Sequence, residues 1–523
     1  MKRSVIKNGV ILLLSLVVGW CLIGVNLGAK WGVIDDHAIM TFLGNDGKIS
    51  VFEIPRIILG TEVGQYGKVN RFRPSFWLVY LIECSLWGNN PVLWYMSKFI
   101  LFVFMVFTGI YLLEKWIGIS MAVGIVLVTL LYPGWSDIWT RLGPAEIYGV
   151  LGTSMVLMGL YWVWMRGKSG IGYGCVFVGG LIALGTKENF FILLLPIWGL
   201  VVYKLTGKNK DWCLLVVALV LTGFEMWIWF GLLKYFSTNS YDLYGNSVET
   251  GGRLNNLINW IVRVYGKIPI FLKMVFTLIT VFFGAVSLYI YRNNQKNWIE
   301  WWSVLKILLI TVILGVIVIG SQVFFYNGNW PVLSRYDYPG ILMLPMLLAV
   351  IFYMGKRLIE ILFTRKWLDS LYTLVWLVAM ALAIKTVGYG VIVEAGRNNA
   401  VRTRLFTDKV QMIVTEANKN KEKILLFESD DPGDYESVLS IKRFIEAYGV
   451  KNVLGFRWRG KSVEEYDSFL ERDLSGSLIN ISKKGGSGFF DGFIAGELIE
   501  EKKCITISFM DDRIKISCDQ IIK

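Results

Sequence analysis

The feature that most constrains this chain is a series of apolar runs of about 15–25 residues, starting with Gly9 to Leu27. Each is long enough to cross the hydrocarbon core of a bilayer as a helix. Further runs fall near 91–113, 118–132, 146–165, 171–185, 190–204, 212–236, 270–291, 303–325, 338–355 and 368–392. With the first they predict an α-helical polytopic membrane protein of about eleven spans. The chain is 55% hydrophobic, carries 22 Trp and is only 18% charged, which excludes an ordinary soluble protein. The basic start, Met1-Lys-Arg-Ser-Val-Ile-Lys7, looks like a signal peptide. No small-residue cleavage site follows, so the first run reads as an uncleaved span. Two stretches of the long first outer loop (28–90) are too short or interrupted to span. The second, 74–88, carries Glu83 and many aromatics and suits a helix lying at the interface.

Loop charges test the order of the spans. With the N-terminus in the cytoplasm, the cytoplasmic loops are Glu114-Lys115, Arg166-Gly-Lys168, Lys204 to Lys210, Arg292 to Lys296 and Lys356 to Lys366. All contain Lys or Arg, as inward-facing loops should. Most of the net charge of +13 belongs to them. The opposite face receives mixed-charge segments instead. Near Arg397 the composition turns polar, so the chain divides into a membrane domain, 1–396, and a small soluble α/β domain, 397–523. An odd number of spans places that domain on the outer face. Strands are predicted at Lys423 to Glu428 and Asn452 to Trp458, and helices at Tyr435 to Tyr448 and Val463 to Arg472. Cys504 to Phe509 and Arg513 to Cys518 read as a hairpin, whose cysteines would form a disulfide in an oxidising compartment. The chain has no P-loop, no GxGxxG opening a helix and no Cys/His cluster for zinc, and no nucleic-acid partner is expected.

The outer-face segments hold the candidate chemistry. Asp35, Asp36 and His37, the only histidine, follow the first span. Adjacent carboxylates raise one another's pKa, so one of them can serve as a base near neutral pH. Arg71, Arg73, Arg141, Glu146, Lys187, Glu188, Arg335 and Tyr336 come from other loops of the same face. Charges at span ends are costly unless paired or solvated, and solvated loop charge is the plain alternative for each alone. Together they match a reaction in which an acceptor hydroxyl loses a proton to a carboxylate and a phosphate leaves toward cations. Arginine suits the second task because its planar fork donates two parallel hydrogen bonds to phosphate.

The motifs stand in a telling order: Asp35-Asp36, Arg71-x-Arg73-Pro74, Trp87-Gly-Asn-Asn-Pro91, Gly143-Pro-Ala-Glu146, Gly185-Thr-Lys187-Glu188-Asn189 and Leu194-Leu-Pro196. This order resembles the GT-C glycosyltransferases, in particular the transmembrane O-mannosyltransferases that carry tetratricopeptide repeats. Arg335-Tyr336 followed by Pro339 resembles the signature of bacterial aminoarabinose and oligosaccharide-chain transferases. The resemblance covers about residues 10–390. Three departures are plain. Pro144 stands where an arginine is usual, leaving Arg141 to supply charge; no tetratricopeptide repeats follow; and the α/β tail matches no family pattern.

The resemblance implies a GT-C-like fold in the inner cell membrane and transfer, with inversion, from a polyprenyl-phosphate-linked sugar. The acceptor would be a hydroxyl of a cell-envelope glycan, lipid or protein. Asp35 or Asp36 would be the base, with the first of the pair preferred by analogy. Arg73, Lys187 and Arg335 would hold donor phosphate, and Glu146 and Glu188 would orient those cations or the acceptor. Arg71, Arg141, His37 and Tyr336 complete the expected substrate-binding set. Some members bind a divalent metal, for which Asp35, Asp36 and His37 offer ligand atoms, and others do not. A transporter or flippase of lipid-linked saccharides is the competing class. It would show Gly/Pro-broken spans and charges near mid-bilayer, whereas here the charges gather at span ends. A non-enzymatic scaffold leaves the one-sided cluster unexplained.

Overall fold

The computed structural model describes residues 2–33, 35–61, 63–68, 72–166, 169–207, 210–237, 250–267, 270–293, 295–325, 331–363, 365–429, 435–458, 493–495, 504–510 and 513–518. Helix α1 (Lys2–Ile23) leads into a long connection carrying α2 (Asp36–Leu43), α3 (Ile54–Leu59) and α4 (Pro74–Trp87). Next come α5 (Pro91–Ile117), α6 (Ile119–Thr129), α7 (Gly134–Trp139), α8 (Glu146–Arg166), α9 (Gly170–Leu184), α10 (Leu194–Thr206) and α11 (Trp212–Phe236). The helical part closes with α12 (Thr250–Lys267), α13 (Ile270–Asn293), α14 (Gln295–Phe325), α15 (Met343–Leu362), α16 (Lys366–Val387) and α17 (Gly390–Lys419).

Among the described residues, eight helices are long and apolar enough to cross a membrane, so this is a helical, multi-pass membrane protein. Each covers a predicted span. The predicted spans at 118–132 and 171–185 are occupied by the shorter apolar helices α6 and α9, of 11 and 15 residues. At 1.5 Å per residue they rise only about 17 and 23 Å. Glycine and proline set these lengths: Gly118, with φ of 85°, separates α6 from α5, and Pro133 and Gly185 stand just beyond the ends of α6 and α9. Helix α13 coincides with the predicted 270–291 segment. The 74–88 stretch forms α4, whose face toward the bundle is buried. Helix α12 is amphipathic and falls in a stretch read from sequence as loop.

Two pairs of glycines draw α8 and α9 into contact at the backbone. A Cβ on Gly152 would stand 2.5 Å from the Gly179 carbonyl, and one on Gly159 would stand 2.7 Å from the Gly172 carbonyl. Small residues permit such approach between membrane helices. The helices run antiparallel, so the start of α8, Glu146, meets the segment that follows α9, Lys187.

The tail forms a five-stranded sheet from β1 (Ile424–Ser429), β2 (Leu454–Trp458), β3 (Phe493–Ala495), β4 (Cys504–Met510) and β5 (Arg513–Cys518), in the order β3-β2-β1-β4-β5. Strand β1 runs parallel to β2 and β4, β2 is parallel to β3, and β5 returns antiparallel to β4. Helix α18 (Tyr435–Ala447) links β1 to β2, as a parallel pair requires. The predicted strands, this helix and the hairpin all appear; the predicted helix at 463–472 lies outside the described residues. The expected disulfide does not fit the register. Ile505, not Cys504, is the register partner of Cys518, and Cys504 carries a free thiol.

The predicted boundary at 396/397 is not a linker. Helix α17 passes through it unbroken for 30 residues, about 45 Å. Its buried residues Ala400, Phe406, Val410 and Ile413 share one core with Trp31, Ile39 and Met40 of the first loop region and with Leu425 and Ile441 of the tail. Membrane part and tail are therefore packed as one body.

A buried polar cluster ties α4, α5 and α8 together. The Lys98 ammonium donates to Glu83 and, at 2.9 Å, to the Tyr148 hydroxyl, which itself donates to Glu83. Ser97 donates to the other Glu83 oxygen at 2.8 Å. Lys98 and Glu83 are almost wholly inaccessible, so removing one charge strands the other. Lys98→Met is expected to cost about 3–5 kcal/mol. Glu83→Leu/Lys98→Met is expected to recover most of that. Thermal unfolding in detergent, followed by tryptophan fluorescence, checks both; a neutral single variant would contradict the charged pair.

Candidate active site

The site is a cavity of about 190 Å³ where the first loop, α4, α8 and the connections before α10 and α15 meet. Asp35, His37, Arg73, Glu146, Lys187, Arg335 and Tyr336 line it. These seven residues, predicted from segments far apart in sequence, thus share one cavity.

One side is cationic and tightly built. Lys187 donates to Glu146 at 2.7 Å, and both are buried. The Lys187 ammonium lies 4.7 Å from the centre of the Tyr336 ring, and the Arg335 guanidinium lies 5.3 Å from it. Such cation–π contacts gain strength where water is excluded. The Arg335 segment is held from behind: the Arg335 N–H donates to Asp137 at 3.3 Å. Asp337, fully buried, accepts from the Leu333 N–H at 2.7 Å, the Val332 N–H and the Tyr132 hydroxyl. Asp137 and Asp337 were not singled out from sequence. Their signal was there in part, because Asp337 follows Arg335-Tyr336 directly and Asp137 stands one helical turn before Arg141.

The opposite side carries Asp35. Its backbone adopts φ of 71°, ψ of −42°, a left-handed conformation unusual for a residue with a Cβ. Its carboxylate lies 3.5 Å from Arg141, and the side chain stays 36% exposed. Gly143 makes room for it, since any Cβ there would overlap the Asp35 side chain. Helix α4 supplies an aromatic wall of Phe76, Trp77 and Tyr80, with Phe76 and Tyr80 stacked at 5.3 Å and Arg73 over Phe76 at 4.9 Å.

The acidic pair is split. Asp36 is buried, does not line the cavity, and accepts the Gly32 N–H at 2.6 Å. Burial pushes its carboxyl up from 3.8 to about 7; the Gly32 N–H opposes this and the Asp35 charge adds to it. His37 is pushed down to about 4, chiefly by burial and then by the charge of Arg443 on α18, so it is neutral at neutral pH. Arg141 reaches the site through Asp35. Glu188 is buried and does not line the cavity, and Arg71 lies outside the described residues. Asp35, Asp36 and His37 do not form a ligand set. Among the described residues, no group of three or more His, Cys, Asp or Glu side chains is placed to hold a metal ion.

Chemically, the cavity offers one accessible carboxylate, three cations and an aromatic wall. Comparison of the chain with protein-family models, with curated proteins and with solved structures finds no match. The functional reading therefore rests on this geometry and on the motif order.

The Asp36 placement has a pH signature. Its folded pKa lies above the unfolded value, so the stability it contributes is full below about pH 4 and is lost as pH rises toward about 7. Against an Asp36→Asn variant, the wild type is expected to lose up to about 1.4 kcal/mol per pH unit across that window. Unfolding midpoints of both proteins from pH 4 to 8 test this; parallel profiles would contradict the buried carboxyl.

Proposed function

We propose that this chain is a GT-C-type glycosyltransferase of about eleven spans. It moves a sugar from a polyprenyl-phosphate-linked donor to a hydroxyl of a cell-envelope glycan, lipid or protein acceptor. The observation that carries the reading is the single cavity bringing together Asp35, Arg73, the Lys187–Glu146 pair and Arg335-Tyr336. A carboxylate facing a cluster of cations suits hydroxyl deprotonation on one side and phosphate departure on the other.

In this mechanism Asp35 takes the acceptor proton as the acceptor oxygen attacks the anomeric carbon from the face opposite the phosphate. The bond from that carbon to the phosphate oxygen breaks, and its electron pair leaves with the polyprenyl phosphate, giving inversion. Arg335, Lys187 and Arg73 stabilise the departing charge. Arg141 orients Asp35, and Glu146 fixes Lys187. The cavity volume fits this division of labour. Pockets that enclose a drug-sized ligand measure about 300–1,000 Å³. At about 190 Å³ the cavity is below that range, which suits a reacting sugar end with the lipid chain outside.

Loop charges support an N-terminus in the cytoplasm of the inner membrane and a tail on the outer side. A reporter active only outside the cytoplasm is expected to be active when fused after Asn399 and silent after Gly207. The reverse pattern would overturn the assignment of the cavity to the outer face.

Asp35→Asn keeps the side chain's size and removes its basic oxygen, so the variant is expected to fold yet lose about 10²–10⁴-fold in transfer rate. Arg335→Ala is expected to weaken use of the donor, and Arg335→Lys to restore only part, since a point charge lacks the two-pronged contact. The measurement is sugar transfer in proteoliposomes supplied with labelled polyprenyl-phosphate sugar and a membrane-envelope acceptor fraction. Near-normal turnover by Asp35→Asn/Asp36→Asn would sink the proposal.

A further inference from the structure

Each of the residues Lys30, Trp31, Gly32 and Val33, just ahead of Asp35, has a backbone group held by a specific partner. The Lys30 N–H donates to the Thr403 hydroxyl at 2.9 Å. The Thr407 hydroxyl donates to the Trp31 carbonyl at 3.3 Å. The Gly32 N–H goes to Asp36, and the Ser440 hydroxyl donates to the Val33 carbonyl. Three of these four partners lie on α17 and α18, beyond the compositional boundary of the tail. All three hydroxyl residues are buried.

The same two helices grip the segment on both sides. On the upstream side Arg404 Nε donates to the Gly28 carbonyl at 2.8 Å, and the Asn399 amide donates to Asn26 Oδ1 at 3.4 Å. Helix α18 packs on α2, which begins at Asp36. An isolated sheet domain would need none of these contacts. They converge on the one strand of backbone that delivers Asp35 to the cavity in a left-handed conformation.

We propose that α17 and α18 are a positioning element of the active site: their buried hydroxyls hold residues 30–33 so that Asp35 keeps its place at the cavity wall. The inference rests on the reading of Asp35 as the base and adds that the tail governs the catalytic step as well as any acceptor contact. Thr403, Thr407 and Ser440 touch backbone ahead of Asp35 and do not line the cavity, so they are positioning residues. Their loss removes the partners of part-buried backbone groups at Lys30 and Val33 and of the buried Trp31 carbonyl, and frees the segment to shift toward water. A shift of about 1 Å at a reacting group can cost about 10²-fold in rate.

The test uses the full chain carrying Thr403→Val and Ser440→Ala, with a Thr403→Ser chain as the conservative control. Hydrogen–deuterium exchange is read over residues 29–38 and over α5. Exchange in 29–38 is expected to rise on the order of ten-fold with α5 unchanged, and Thr403→Ser is expected to stay near wild type. In proteoliposomes with labelled polyprenyl-phosphate sugar, kcat is expected to fall about 10²-fold while the donor KM stays within about two-fold. Unchanged exchange in 29–38, equal loss of protection in α5, or a wild-type kcat would each overturn the proposal. The exchange arm does not depend on the chemistry. If the wild type transfers no sugar while the exchange shift appears, the glycosyltransferase reading fails and the positioning of this segment by α17 and α18 stands.

Discussion

The buried ion pair between Lys187 and Glu146 is the interaction on which the arrangement of the cavity depends. Two charges removed from water are tolerated only with close geometry and added partners. Here they meet at 2.7 Å, with the Tyr336 ring beneath the ammonium. Lys187 follows α9 and Glu146 opens α8, so the pair closes only if those helices approach at the backbone. The facing glycines allow that approach. Once the pair is formed, Arg335 is held beside it by Tyr336 and by the turn that Asp337 and Asp137 fasten. The cationic wall is therefore one unit, assembled from three connections and fixed by burial.

The neighbouring carboxylates of the first loop show how position overrides sequence adjacency. Asp36 turns inward and holds the Gly32 N–H, and its burial raises its pKa. Asp35, one residue earlier, adopts a left-handed backbone and faces the cavity. The preceding residues are tied down by Thr403, Thr407 and Ser440, and under the proposed function this holds a strained backbone at the base.

Much of this was legible in the sequence because it is local. Apolar runs fix spanning helices by length and hydropathy, and the strand and hairpin patterns of the tail carry period-two alternation. Seven candidate residues share the cavity because span-end charges gather on one face of a bundle. What was not legible depends on packing. Nothing in Asp35-Asp36 says which carboxylate is buried. The Lys98–Glu83–Tyr148 cluster stayed hidden because its lysine sits inside an apolar run that hydropathy reads as featureless. The boundary near Arg397 was drawn where composition changes, yet α17 continues through it, with Ile392 and Gly396 buried on one side of it and Phe406, Val410 and Ile413 on the other. Asp137 and Asp337 act largely through backbone groups, which their places beside Arg141 and Arg335-Tyr336 announce only in part.

The division between the two carboxylates that line the cavity bears on the chemistry. Glu146 is buried and already accepts a hydrogen bond from Lys187, so taking a proton there would break the pair that shapes the wall. Asp35 is half-buried, and its contact with Arg141 is longer, at 3.5 Å. It can release that contact and accept a proton without dismantling anything beneath it. Under the proposed reaction the two charges cannot exchange roles. The fixed carboxylate organises the cations that receive the leaving phosphate, and the accessible one meets the acceptor hydroxyl. The proposed reaction needs a reachable base and a preorganised phosphate site, and carboxylates in opposite surroundings suit those two demands.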